Sequence, residues 1–324
     1  MIRTPKSFRH LSALTAAATL AACSVTAFAQ SSPDELLDQM NHVVTVTDYE
    51  GTVVRWENGK SEALKVVHKI IDGVINEKLI TQEGNGLEII RIGNDVHCIL
   101  PDKQTVLIEE WNEQLTLFSA LPTSEIRYGA EYDVSIVRKD RVAGRTAVML
   151  AVRPHDEFRY GHRIWLDEAT SFPLKTELMG IDGELIEQIK FADISIGSNI
   201  SMDAFKPSMD IDDFSWYSQP AQYASEDVET NWQCEDLPVG FEAISTMTEQ
   251  LPGADAPVTH IVYSDGMATV SVFIAEKHET EFVEKFNVGA SNTYSIQQGD
   301  YQVTVVGEVP AATVRRIATS MTQN

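Results

Sequence analysis

The chain has 324 residues, 48 of them acidic against 25 basic, and a formal net charge of −23. A field of that sign repels nucleic acid and anionic headgroups, which excludes direct DNA binding. It either favours a basic partner or only keeps the protein in solution.

Residues 1–29 read as an export signal. Arg3, Lys6 and Arg9 form a positive start, Leu11 to Ala29 is apolar and rich in small residues, and Ala27-Phe28-Ala29 before Gln30 is an A-x-A cleavage site. A second reading stays open, because Leu20-Ala21-Ala22-Cys23 fits a lipoprotein box in which Cys23 would be lipidated and kept. Cleavage after Ala29 leaves 22 basic against 48 acidic residues, so 22 − 48 = −26. No other run approaches the ~20 apolar residues that a bilayer span requires.

Ser32-Pro33-Asp34 predicts a helix, with Ser32 as N-cap and Leu36, Leu37, Met40 and Val43 or Val44 as its apolar stripe. The period then changes to two. Strands are predicted over Tyr49–Trp56, Glu62–Ile70, Val74–Ile80, Leu87–Ile92, Val96–Leu100 and Thr105–Glu109, with Asp72-Gly73 and Gly93-Asn94-Asp95 as turns. A helical interruption is expected at Asn112–Ser119. Five more strands follow at Tyr132–Lys139, Thr146–Arg153, Arg159–Leu166, Leu174–Met179 and Glu184–Ile196, with Asp182-Gly183 as a further hairpin signal. Short strands at this spacing predict one large antiparallel sheet, and so many strands will curl.

Residues 206–228 lack a sustained apolar period and read as an acidic linker, with Trp216 and Tyr217 packed on a neighbouring domain. Beyond it, Ala243–Thr248 is a strand or a short helix. Strands are predicted at Val258–Ser264, Ala268–Ala275, Thr293–Gln297 and Tyr301–Val306, and helices at Glu279–Phe286 and Ala311–Met321. Pro310 starts the last helix, and Val314, Ile317 and Met321 share one of its faces.

The expected fold class is therefore α+β: a large curled antiparallel half-barrel with covering helices, plus a smaller α+β carboxy-terminal domain. The expected boundaries are 1–29 signal peptide, 30–206 first domain, 207–228 linker and 229–324 second domain.

The chain contains no G-x-S-x-G, H-E-x-x-H, P-loop or G-x-G-x-x-G motif. His68, His97, His155, His162, His260 and His278 are scattered without a metal-ligand spacing, and Asp210, Asp212 and Asp213 lack the glycine and distal glutamate of a calcium loop. No enzyme activity, cofactor or metal is expected. Cys98 and Cys234 are the two cysteines left after cleavage, a candidate disulfide between the domains whose proximity sequence does not decide.

Asp265-Gly-Met-Ala-Thr-Val-Ser-Val-Phe-Ile-Ala275 and the stretch Gly299 to Arg316 resemble the carboxy-terminal domain of the RseB/MucB family. Asp48-Tyr-Glu-Gly-Thr52, Val66-Val-His68-Lys69, Val96-His-Cys98-Ile-Leu-Pro-Asp102, the strand–turn–strand from Arg163 to Lys175 and Leu185-Ile-Glu187-Gln188 resemble its amino-terminal domain, which shares the LolA/LolB-like fold of lipoprotein carriers. The resemblance implies a periplasmic regulator. Such a protein binds the periplasmic part of a membrane anti-sigma factor, shields it from the site-one protease, and releases it when a lipid-like or lipopolysaccharide-like signal occupies the first domain. A homo-oligomer is left open.

Trp111, Leu115, Leu117, Phe118, Leu121 and Trp165 are the residues expected around a concave acyl site, against the plainer reading that they are core. Tyr294, Tyr301, Arg315 and Arg316 are candidate partner contacts, since Tyr and Arg are enriched at interface hot spots; the plainer reading is a solvated face and packed strands. A lipid or lipoprotein carrier using only the cup, and an envelope hydrolase, are the competing functions.

Overall fold

The computed structural model describes residues 31–110, 117, 121, 130–218, 226–249, 256–276 and 285–323. The expected export signal, with Cys23, lies outside them, as do Trp111, Leu115 and Phe118.

Helix α1 (Pro33–Val44) starts as its sequence dictates. The Glu35 amide donates to Ser32 Oγ at 3.2 Å and the Ser32 amide donates to Glu35 Oε2 at 2.9 Å, a reciprocal capping box. Leu37 and Met40 are fully buried, so the predicted stripe is the packed face.

The first sheet comprises β1 (Tyr49–Glu57), β2 (Lys60–Ile71), β3 (Val74–Thr81), β4 (Glu88–Ile92), β5 (Asp95–Leu100), β6 (Thr105–Glu110), β7 (Tyr132–Val142), β8 (Arg145–Pro154), β9 (Gly161–Asp167), β10 (Pro173–Met179), β11 (Leu185–Ile196) and β12 (Ser215–Ser218). Among the described residues its order is β12-β6-β5-β4-β3-β2-β1-β11-β10-β9-β8-β7. Hairpins dominate. Between β2 and β3, Asp72 and Gly73 both take positive φ, 50° and 80°, the left-handed pair that a two-residue hairpin needs. The sheet curls strongly. Four strand spacings separate β7 from β11, about 19 Å if flat, yet the two come within 8 Å between Cα atoms.

One apolar cluster draws residues from across this curl. Tyr49, Val53, Val66, Met149, Trp165, Phe172, Leu174 and Phe191 are among its buried members. Tyr49, Phe172 and Phe191 meet with ring centroids 4.9 to 6.2 Å apart, within the range of favourable aromatic pairs. A second cluster of Leu37, Met40, Tyr132, Leu150 and Ile164 packs α1 onto β7–β9.

The linker expectation needs correcting. Its first half is docked. Met209, Ile211 and Phe214 pack on Ile90, Ile99 and Val106, and Ser215–Ser218 extends the sheet as a parallel partner of Thr105–Ile108. The reason is an alternation hidden between carboxylates: Met209, Ile211 and Phe214 interleave with Asp210, Asp212 and Asp213, so apolar groups face the sheet while charges face water. Trp216 meets the His97 ring edge-on at 5.5 Å, but it and Tyr217 remain about half exposed.

The smaller sheet runs through β13 (Glu226–Asp227), β15 (Glu242–Glu249), β16 (Val258–Ser264), β17 (Thr269–Glu276), β20 (Tyr301–Gly307), β19 (Ser291–Gln298) and β18 (Lys285–Val288) in spatial order. The ambiguous segment near Ala243–Thr248 is thus a strand. The end of the helix expected over Glu279–Phe286 is overturned: Lys285 and Phe286 pair with Tyr294 and Thr293 in β18–β19. Residues 277–284 lie outside the described ones. Helix α2 (Ala311–Ser320) buries Val314 and Ile317 against this sheet. Met321, also buried, already belongs to β21 (Met321–Gln323), which pairs with β14 (Trp232–Cys234).

The candidate disulfide is not formed. Cys98 stands on β5 of the larger sheet and Cys234 on β14, and both are free thiols. Burial, helped by the Glu109 carboxylate, raises the Cys98 pKa to about 11. Burial also raises that of Cys234, whose Sγ lies 3.0 Å from Ser320 Oγ. Few thiolates are available at neutral pH to start an exchange.

Candidate functional site at the seam between the sheets

The two sheets meet through loops that each one inserts into the other. From the first comes 155–160, the lead-in to β9. From the second comes the β16–β17 turn at Asp265. The turn is a local product of its sequence: Asp265 Oδ1 accepts from the amides of Met267 (2.9 Å) and Ala268 (2.7 Å), which fixes the carboxylate. Met267 then packs against the α1–β7–β9 cluster of the first domain.

The other oxygen, Oδ2, faces the first domain. It accepts from Tyr132 Oη at 2.7 Å and from Arg159 Nε at 2.5 Å. The remaining nitrogens of Arg159 donate to Asp156 Oδ2 and to the Val239 carbonyl of the second domain. Its guanidinium lies 4.9 Å from the Phe241 ring centroid and 5.7 Å from that of Tyr132. The Arg159 side chain is 0 % exposed and that of Asp265 1 %. Burial works against the arginine's charge, but the Asp265 and Asp156 carboxylates, with Tyr132, together outweigh it and lift the Arg159 pKa. Burial, reinforced by the same carboxylate, raises the Tyr132 phenol, so it stays a donor.

Neutral ties complete the seam. Thr313 Oγ1 donates to the Phe158 carbonyl at 2.7 Å, and Asn292 Nδ2 donates to Tyr160 Oη at 3.1 Å. Gly240, at φ 88°, runs so close to the first domain that an added Cβ would sit 2.6 Å from Glu131 Cγ. A Cβ at Gly289 would strike the Glu57 carboxylate.

Beside the seam lies a cleft of about 270 Å³ lined by Arg153, Asp156, Arg159, His162, Arg163, Met179 and Ile181, among others. Burial pushes the His162 pKa down to about 4, against an opposing pull from Asp265, so at neutral pH the positive charge there is the arginines'. Arg163 meets Glu177 at 3.4 Å and Arg153 meets Ser135 at 3.5 Å, longer than a good hydrogen bond.

The residues singled out from sequence are dispersed. Trp165 is core: its Nε1 donates to Asp140 Oδ2 at 3.1 Å and Lys175 caps its ring at 4.1 Å. Leu117 packs against the cluster around Trp165, whereas Leu121 joins the one under α1. Tyr294 and Tyr301 flank the core of the second domain, Tyr301 edge-on to Trp232 at 5.3 Å. Arg315 is exposed. Arg316 is engaged within the chain, on Asp236 at 2.6 Å and over the Phe158 ring at 4.5 Å. His155, one of the scattered histidines, ties Ala130 and Asp133 at 2.9 and 3.1 Å.

Sequence reading missed Tyr132, Arg159 and Asp265 as a group. Asp265-Gly266 signals a turn, and Arg159 reads as the first residue of a strand that in the structure begins at Gly161. Nothing local marks two residues 106 positions apart as partners.

Residues 32–209 match the MucB/RseB N-terminal domain and residues 226–322 match the MucB/RseB C-terminal domain. The chain is 31% identical over 279 residues to the sigma factor AlgU regulatory protein MucB of Pseudomonas aeruginosa, covering 84% of this chain and 85% of that one. To the sigma-E factor regulatory protein RseB of Salmonella typhimurium it is 27% identical, covering 92% and 93%. Among solved structures, the P. aeruginosa MucA/MucB complex superposes with a TM-score of 0.70 at 27% identity, over 91% of this chain and 99% of that one. A second structure, MucB with MucA(peri), gives 0.69 at 28% identity, over 90% and 99%. A third structure, of MucB, gives 0.58 at 27% identity, over 90% and 98%. With both of its domains matched and both sheets present, the chain belongs to the MucB/RseB family.

Proposed function

We propose that this protein is a periplasmic negative regulator of an envelope-stress sigma factor. It holds the periplasmic part of a membrane-spanning anti-sigma factor and shields it from site-one proteolysis. A lipid-like signal in the first domain, residues 30–206, releases it. The second domain, residues 229–324, carries partner contacts, and residues 207–228 join the two. Export by residues 1–29 puts the protein on the side of the membrane where such a partner is exposed.

The observation that carries this reading is the likeness, over nearly the whole chain, to MucB as it stands in the MucA/MucB complex. Relatives at 31% and 27% identity are named as sigma factor regulatory proteins. The work required is binding. A signal that releases the partner must bind the partner-free state more tightly, by the 1–3 kcal/mol typical of coupled sites.

Calorimetric titration tests the partner: the chain from residue 30 with a periplasmic anti-sigma segment, the periplasmic part of MucA that the relative MucB is seen with. A saturable complex is expected, and no heat of binding at any accessible concentration would refute the reading. For the signal, lipid A fragments are titrated while Trp fluorescence is followed. Trp111→Ala should weaken that binding, and an unchanged affinity would remove Trp111 from the site. Trp165 is a poor reporter, because its loss would open the core.

A further inference from the structure

We propose that the Arg159–Asp265 joint is a latch: closed, it fixes the arrangement of the two sheets in which the protein holds its partner, and its opening lets the partner go. The proposal rests on the reading above that the partner is an anti-sigma segment.

The joint is built for an all-or-none change. One guanidinium spans the seam, with Nε on Asp265 and Nη2 on the Val239 carbonyl of the second domain, while Nη1 returns to Asp156 of the first. Arginine's rigid fork suits this, since its donors diverge in one plane and, with Nη1 held by Asp156, the two bonds to the second domain form only in one placement of the two bodies. Both charges are enclosed, the guanidinium between Phe241 and Tyr132. A half-parted seam would strand each charge among apolar groups without its partner, so intermediate separations are disfavoured relative to closed or fully wetted.

The joint also has leverage. The other interdomain hydrogen bonds named above, Thr313 to Phe158 and Asn292 to Tyr160, are neutral and single. Tyr132 Oη shares the same carboxylate, whose other oxygen holds the amide of Met267, the turn residue packed on the first domain, so losing that carboxylate removes the Tyr132 tie and loosens the inserted turn. The chain superposes on the two MucB structures that contain MucA with TM-scores of 0.70 and 0.69, and on a third MucB structure with 0.58, over similar shares of the chain.

The test uses the chain from residue 30 and the same periplasmic anti-sigma segment as probe, with affinity measured by calorimetry and size by solution X-ray scattering. Arg159→Gln and Asp265→Asn are compared with a cross-linked form. For that form, Glu57→Cys with Gly289→Cys is placed in a Cys98→Ser, Cys234→Ser background, since a Cβ at Gly289 would lie 3.5 Å from Glu57 Cγ. Arg159→Gln should enlarge the free protein and weaken the segment about tenfold or more, the usual size of such coupling. Adding the oxidised cross-link to Arg159→Gln should restore both compactness and affinity, and reduction should abolish the rescue. A wild-type chain that binds the segment, beside a folded Arg159→Gln variant of unchanged size and affinity, overturns the latch. So does a cross-link that restores size without affinity. If the wild-type chain ignores the segment, the partner reading itself has failed and the latch falls with it.

Discussion

Two buried cation–carboxylate pairs hold distant segments in this protein, and they do so differently. On the first sheet, Lys78 on β3 lies 3.3 Å from Glu88 on β4. Lys78 Nζ donates to the Lys206 carbonyl at 2.5 Å, and the Ser208 amide donates to Glu88 Oε2 at 3.1 Å. Both charges belong to adjacent strands of one sheet, and the segment they hold is a strap on its outer face. At the seam, Arg159 and Asp265 belong to different sheets, and each bond crosses or braces the junction. The first pair rests on a scaffold that exists without it. The second helps create the arrangement it sits in. A buried ion pair is weak evidence for stability, but where it spans two bodies it is good evidence for a defined geometry.

The sharpest way to break this comparison is Arg159→Ala. It leaves the Asp265 carboxylate buried and uncompensated, and unfolding in urea should show a loss of about 3–5 kcal/mol. A loss below about 1 kcal/mol, the value of an exposed pair, would mean that the seam is wet in solution. Next comes the sheet pair. Lys78→Met alone should be costly for the same reason, yet Lys78→Met with Glu88→Leu should recover to within about 1 kcal/mol of wild type, because apolar groups of similar volume replace such pairs well. Removing both charges at the seam, as Arg159→Met with Asp265→Leu, should recover less, since it strands the hydroxyl of the fully buried Tyr132, whereas the Lys206 carbonyl and Ser208 amide freed at the sheet pair belong to exposed residues that water reaches. Equal recovery at both sites would erase the distinction.

Thr313→Val probes a neutral tie. Thr313 is fully buried and donates to the Phe158 carbonyl, so its loss should cost about 1–3 kcal/mol by thermal unfolding. The smallest effect concerns Glu308. Burial, with the Glu187 and Glu57 carboxylates adding and Arg55 opposing, raises its pKa above the ordinary 4.5. A raised carboxyl holds its proton more tightly when folded. Its contribution is therefore stabilising below the unfolded pKa and is lost as pH rises through the folded one. At neutral pH it is a liability, and Glu308→Gln should give a small rise in Tm there and a shallower fall in stability on leaving acid. A lowered Tm at neutral pH would contradict the direction.

Local physics was largely legible in the sequence. Ser32 with Glu35, Asp72-Gly73 and the apolar face of Val314 and Ile317 each act through neighbours within a few positions, and each forms the element expected. Interleaved signals were harder. Met209, Ile211 and Phe214 are hidden by the aspartates between them, so the docked strap reads as an acidic linker. Long-range pairing was not legible at all. β14 meets β21 across the whole second domain, and Tyr132, Arg159 and Asp265 converge from three separate loops and strands. The acyl-site residues illustrate a further limit: hydrophobic character predicts burial, and Trp165 is buried, but burial does not separate a ligand wall from ordinary core.

The most direct test of the central claim, that the protein acts by holding and shielding its partner, is a protection assay. The periplasmic segment of the membrane anti-sigma factor is exposed to the site-one protease with and without the full exported chain. Cleavage should slow in proportion to the fraction bound and resume when lipid A fragments are added. Cleavage at an unchanged rate, with the segment demonstrably bound, would contradict the account.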